Sequence, residues 1–131
     1  MATIFSRIIK GEIPCYKIAE NDEFFAFLDV NPIQKGHTLV VPKEEISYIF
    51  DIDDQKLGRY MAFAKKVAKA VQAAIPCVKV GIAVVGLEVP HSHIHLVPLN
   101  GLGDLSFEHK MTLPKEEMQE IAQKIVSKWE K

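Results

Sequence analysis

The chain has 131 residues, 48% of them hydrophobic and 25% charged, with a formal net charge of −1. That length suits one domain over residues 1–131 with a sizeable core, and the near-neutral charge excludes the electrostatic footprint of a nucleic-acid polymer partner. No apolar run approaches the ~20 residues of a membrane span. With no secretory leader and only Cys15 and Cys77, far apart in no metal or redox spacing, it reads as a cytoplasmic protein with reduced thiols.

In chain order, residues 4–11 (IFSRIIKG) predict a short helix stopped at Gly11. Residues 15–21 and 23–30 (CYKIAEN and EFFAFLDV) read as two strands with a turn at 20–22, and residues 37–42 (HTLVVP) as a third strand ended by Pro42. From Asp53 to Ile75 the apolar period becomes helical, with Leu57, Met61, Ala64, Val67, Ala68, Val71 and Ile75 on one stripe. Asp51 or Asp53 is placed to cap its start and Pro76 closes it. Residues 77–86 and 92–99 (CVKVGIAVVG and SHIHLVPL) read as the fourth and fifth strands. After Pro114, Met118, Ile121, Ala122, Ile125 and Trp129 mark a last helix. Strands mostly in succession with helices inserted between them predict an α+β fold with a largely antiparallel sheet.

Three of the five histidines, His91, His93 and His95, fall two apart. Side chains alternate along a strand, so a strand here puts all three on one face and Ser92, Ile94 and Leu96 on the other. Three readings fit the pattern. The histidines are structural; or they hold a metal, imidazole being the commonest nitrogen ligand; or the central one is a nucleophile at phosphorus, steadied by its neighbours. Along one strand, same-face residues lie ~6.5–7 Å apart, an awkward fan for a single ion.

The stretch HSHIHLVP resembles the His-x-His-x-His signature of the histidine triad (HIT) family of nucleotide hydrolases and transferases. The likeness extends over residues 4–46, IFSRIIKGEIPCYKIAENDEFFAFLDVNPIQKGHTLVVPKEEI, and its layout is similar to the nucleotide-binding Hint branch. The resemblance implies a HIT fold with about five antiparallel strands and two main helices, the sheet continuing across a homodimer. It implies a purine nucleotide substrate cleaved at the α-phosphorus, phosphoramidates above all, through a nucleotidyl-histidine intermediate that water resolves to AMP or GMP. His93 takes the nucleophile's position. His91 and His95 orient it and hydrogen-bond the α-phosphate or leaving group, and His37 supports them. The base and ribose positions become Phe5, Ile8, Ile13, Phe27, Asp29 and Val30, the base lying between Phe27 and Ile8. Flat apolar walls suit a purine, and a carboxylate accepts from both ribose hydroxyls. Cleavage of dinucleoside polyphosphates, and nucleotide binding with weak catalysis, are the alternatives.

This chain departs from the family pattern before the triad. Gly86 matches a family glycine, but Leu87 stands where Gln is expected and Glu88 where the Hint branch has a small hydroxyl residue. A carboxylate facing a phosphate is repulsive, so Glu88 is expected to point away or to pair with a lysine. Some bacterial relatives carry Cys-x-x-Cys and a histidine at positions occupied here by Thr3, Ser6 and Glu45. Hard oxygen ligands do not replace a thiolate zinc site, so no structural zinc and no other cofactor are expected.

Overall fold

A computed structural model describes residues 2–129. The elements are helix α1 (Ile4–Ile9), strands β1 (Lys17–Glu20), β2 (Phe24–Leu28) and β3 (Thr38–Pro42), helix α2 (Asp54–Ala74), strands β4 (Lys79–Ala83) and β5 (Ile94–Leu99), and helix α3 (Lys115–Ser127). All strand pairs are antiparallel and the sheet order is β1-β2-β3-β5-β4. The expected α+β architecture with a five-stranded antiparallel sheet is what forms.

Local chemistry explains the boundaries. The Thr3 hydroxyl accepts from the Ser6 amide to cap α1, and Gly11 takes φ +82° just beyond its end. In the β1–β2 turn the Asn21 carboxamide oxygen accepts from the amides of Glu23 and Phe24. Asp53 caps α2 through the Lys56 amide, and the helix stops one residue before Ile75, which precedes Pro76.

Strands β2 and β3 are buried at every position, because the sheet is covered on both faces. Phe24, Ala26, Leu28, Val40, Ile94 and Leu96 meet α2 and α3 in the main core. Phe25, Phe27, Leu39 and Val41 form a second cluster with Phe5 of α1. The buried stripe of α2 is rotated from the expected one: Met61 is exposed, and Tyr60, Phe63 and Ala70 face the core. Two contacts set that rotation. Tyr60 stacks on Phe24 with ring centroids 5.1 Å apart, and its hydroxyl donates to the Val40 carbonyl at 2.6 Å. Such a buried phenol keeps its place only with a partner.

The two-residue period now decides the site. Phe27 and Asp29 at the end of β2, His37 and Leu39 at the start of β3, and His95 opposite Leu39 in register share the face that α1 covers.

Candidate active site

The triad does not lie along one strand as expected. β5 begins at Ile94, so of the three histidines only His95 is a strand residue. Ahead of it the backbone bends: the His91 amide donates to the Val89 carbonyl at 2.8 Å and the Ser92 amide to the Ile46 carbonyl at 2.7 Å. The bend drops the His91 ring behind the others, fully buried against Phe5 at 5.6 Å, while the His93 and His95 rings stay 4.8 Å apart.

Their hydrogen-bond partners assign the ring protons. His93 Nδ1 lies 2.9 Å from the His91 carbonyl oxygen, which only accepts, so Nδ1 carries the proton and Nε2 of the neutral ring has a free lone pair. His91 Nε2 donates to the Pro42 carbonyl at 2.7 Å, and its Nδ1 accepts from the Thr3 hydroxyl at 2.7 Å. Both ring nitrogens of His91 are occupied by protein partners, and its carbonyl holds His93 Nδ1. The Ile33 amide donates to His37 Nδ1 at 3.2 Å; His37 Nε2 therefore donates to His95 Nδ1 at 2.9 Å, and His95 presents Nε2–H.

Electrostatics keep this relay neutral. Burial pushes His37 down from 6.5 to about 4 and His95 to about 3, with positive charge on neighbouring groups adding to the effect. Burial also lowers His91 and raises Asp29. Asp29 Oδ1 accepts from the Asn31 amide at 2.9 Å, while Oδ2 stands 3.8 Å from His37 Nε2.

A cavity of about 440 Å³ opens over the relay, within the range of small-molecule sites. Of the residues singled out in the sequence, Phe5, Asp29, Gly86, His37, His93 and His95 line it, and Ile4, Ile33, Leu39 and Val89 supply further apolar wall. Ile8, Ile13, Phe27 and Val30 do not line it. Phe27 lies in one cluster with Phe5, whose ring it meets edge-on at 5.6 Å, and Ile8 packs against that cluster; Ile13 is half-buried outside the cavity and Val30 is exposed. The cavity wall expected from Phe27 and Ile8 is thus supplied on this side by Phe5.

Sequence reasoning missed Phe107 and Lys110. The loop after β5 returns over the cavity, Phe107 meeting His95 edge-on at 4.7 Å and the Met111 amide donating to the Pro32 carbonyl at 2.7 Å. Residues 105–113 have neither helical nor strand period, so no local signal marked them. Glu88 does pair with a lysine, Lys110, at 3.6 Å, yet it still lines the cavity.

Two clusters bear on metal binding. Asp29, His37 and His95 offer ligand atoms within 4.8 Å of one another. The 2.9 Å between the two imidazole nitrogens is a hydrogen-bond distance, shorter than two nitrogens sharing a tetrahedral ion at ~2.0–2.1 Å each require. Thr3, Ser6 and Glu45 do converge on His91, but as mutual hydrogen-bond partners. The Ser6 hydroxyl and the Thr3 amide both donate to the Glu45 carboxylate.

An antiparallel α+β sheet with a relay of neutral imidazoles beneath a ligand-sized cavity defines a small protein equipped for imidazole chemistry. The family follows from comparison: the HIT domain model matches residues 10–102, and the chain belongs to the HIT family. An uncharacterized HIT-like protein of Borreliella burgdorferi is 34% identical, covering 93% of this chain and 94% of that protein. The adenosine 5'-monophosphoramidase of Schizosaccharomyces pombe is 37% identical over 75% of this chain and 74% of its own length. The crystal structure of a Hit-like protein involved in cell-cycle regulation from Bartonella henselae superposes with TM-score 0.83 at 30% identity, covering 96% of this chain and 95% of that one. Among the described residues, no helix is long and apolar enough to cross a membrane.

Proposed function

We propose that the protein is a nucleotide hydrolase that cleaves the α-phosphorus bond of purine nucleoside 5'-phosphate derivatives, phosphoramidates foremost, through a nucleotidyl-His93 intermediate. The observation that carries this is the bond from His93 Nδ1 to the His91 carbonyl, which leaves Nε2 free to attack. The likeness to a monophosphoramidase supports the choice of leaving group.

In the first half-reaction the Nε2 lone pair forms the N–P bond as the bond from phosphorus to the leaving group breaks. The leaving nitrogen takes up one proton from solvent water at the cavity mouth and departs as the amine. His95 Nε2–H, held in that tautomer by His37, donates to a phosphoryl oxygen and stabilises its developing charge without titrating. In the second half-reaction a water oxygen attacks phosphorus, the N–P bond breaks and the pair returns to Nε2; one of the water's protons goes back to solvent, replacing the one the amine took, and the other stays on the phosphoryl group of the departing mononucleotide. Asp29 serves the ribose, and Phe5 with Ile4 and Ile33 the base. The neutral relay suits a site built on positioning and hydrogen bonding.

We read residues 1–131 as one HIT domain, without cofactor, acting in the cytoplasm; free, half-buried Cys15 and Cys77 agree with a reducing compartment. A homodimer extending the sheet is supported at β4, an edge strand where Ile82 and the following Val84 and Val85 are exposed. Sedimentation velocity tests the dimer.

The decisive experiment is turnover of adenosine 5'-phosphoramidate by the wild type and by His93→Ala, with intact mass after a denaturing quench. Turnover lost in the variant, with an AMP adduct on the wild type alone, is expected. Slow turnover unchanged by the substitution would leave nucleotide binding without covalent catalysis. Faster wild-type turnover of a diadenosine polyphosphate would move the preferred leaving group to a nucleotide.

A further inference from the structure

The proposed site has a charge deficit. A nucleotide brings at least one full negative charge, and the cavity already holds the carboxylates of Asp29 and Glu88. The imidazoles of His37 and His95 do not offset them, because burial keeps these two neutral at physiological pH. Among the described residues lining the cavity, Lys110 is the only lysine or arginine. The Gly86–Glu88 segment, where the family's hydroxyl position is a carboxylate, supplies no cation either.

The position of Lys110 fits an exchangeable cation. Its ammonium stands 3.6 Å from Glu88 Oε2, with the two side chains 45% and 78% exposed. So loose and wet a pair contributes little stability, so releasing it is easy. The loop that carries Lys110 is tied down on both sides: Phe107 lies on His95, and the Met111 amide is bonded to Pro32. The ammonium's stem is therefore anchored while its head is free to choose between partners. A phosphoryl oxygen is the stronger one, because it adds a charge-assisted hydrogen bond in a less solvated place.

We propose that Lys110 is the phosphate-binding cation of this site, and that Glu88 is its resident counter-ion, displaced when the phosphoryl group arrives. The inference rests on the nucleotide-site reading above and adds to it the residue that recognises the phosphoryl charge.

Calorimetric titration with AMP and with adenosine tests it, on the wild type and on Lys110→Ala, Lys110→Arg and Glu88→Gln. Lys110→Ala should weaken AMP about tenfold or more while changing adenosine by less than about twofold. Lys110→Arg should restore most of the loss. Glu88→Gln should tighten AMP about two- to threefold, since the competitor is gone. Equal weakening of AMP and adenosine in Lys110→Ala would make the residue a structural support of the loop and overturn the proposal. So would AMP affinity unchanged in Lys110→Ala, or weakened in Glu88→Gln. Wild-type protein that binds neither compound would remove the nucleotide site itself, and the inference with it.

Discussion

Lowering the pH from 7 to 5 should destabilise this protein far more than an ordinary domain, and the cause is the buried imidazole pair. His37 and His95 titrate at 6.5 in the unfolded chain but near 4 and 3 when folded. As pH falls through 6.5 the unfolded chain takes up two protons that the folded protein refuses. Stability is therefore fully present above 6.5 and is lost downward until the folded values are reached. Between pH 6.5 and 5 the loss is about 2 kcal/mol per histidine, or about 4 kcal/mol for the pair, at roughly 1.4 kcal/mol per pH unit each. That is a large part of the ~5–15 kcal/mol that stabilises a domain. Burial of His91 acts in the same direction. The window is specific to the histidines: Glu20, Glu23 and Glu45 are held below 4.5, so their contributions fade only under more acid conditions. Asp29, raised by burial, has the opposite sign, its contribution being lost as pH rises. Urea unfolding at pH 7, 6 and 5 measures the effect, and His37→Gln should remove about half of the slope. A loss under about 0.5 kcal/mol in the wild type would refute the reasoning, since it would mean that the folded protein accepts these protons.

Other expectations are structural. Tyr60→Phe leaves the buried Val40 carbonyl without its 2.6 Å donor and should cost about 1–2 kcal/mol by urea denaturation, with α2 otherwise intact by circular dichroism. Gly36→Ala forces a side chain onto φ +93° and sets its Cβ 2.9 Å from Ile75 Cγ1, so a loss of about 2–3 kcal/mol is expected in thermal melts. Ile125→Ala opens a hole under a fully buried position of α3 and should lower stability by about 2–5 kcal/mol. Thr3→Val leaves His91 Nδ1 unpaired; the imidazole nitrogen shifts of His91 by NMR should change while the His37–His95 pair keeps its signals.

The amino-acid sequence by itself determined the parts that local physics controls. The strands, α2, α3 and the antiparallel order of the elements follow from apolar period and caps, because side-chain direction is a property of the backbone repeat. The HxHxH spacing and the colinear N-terminal half were enough to name the family, whereas the common face of Asp29, His37 and His95 needed the register of three strands. The tertiary structure alone decided which way each group is used. No strand period reveals that the chain bends at Val89–His91, takes the His91 ring out of the row and turns its carbonyl toward His93, since that bend rests on Ser92 pairing with Ile46, 46 residues away. Nor does any pattern announce that Phe5, and not Phe27 or Ile8, walls the cavity, or that a loop without periodicity carries Phe107 and Lys110 back over it. Protonation states belong to the same class: a histidine in sequence titrates near 6.5, and only the packing of sheet, α1 and returning loop removes the water that would let His37 and His95 be charged.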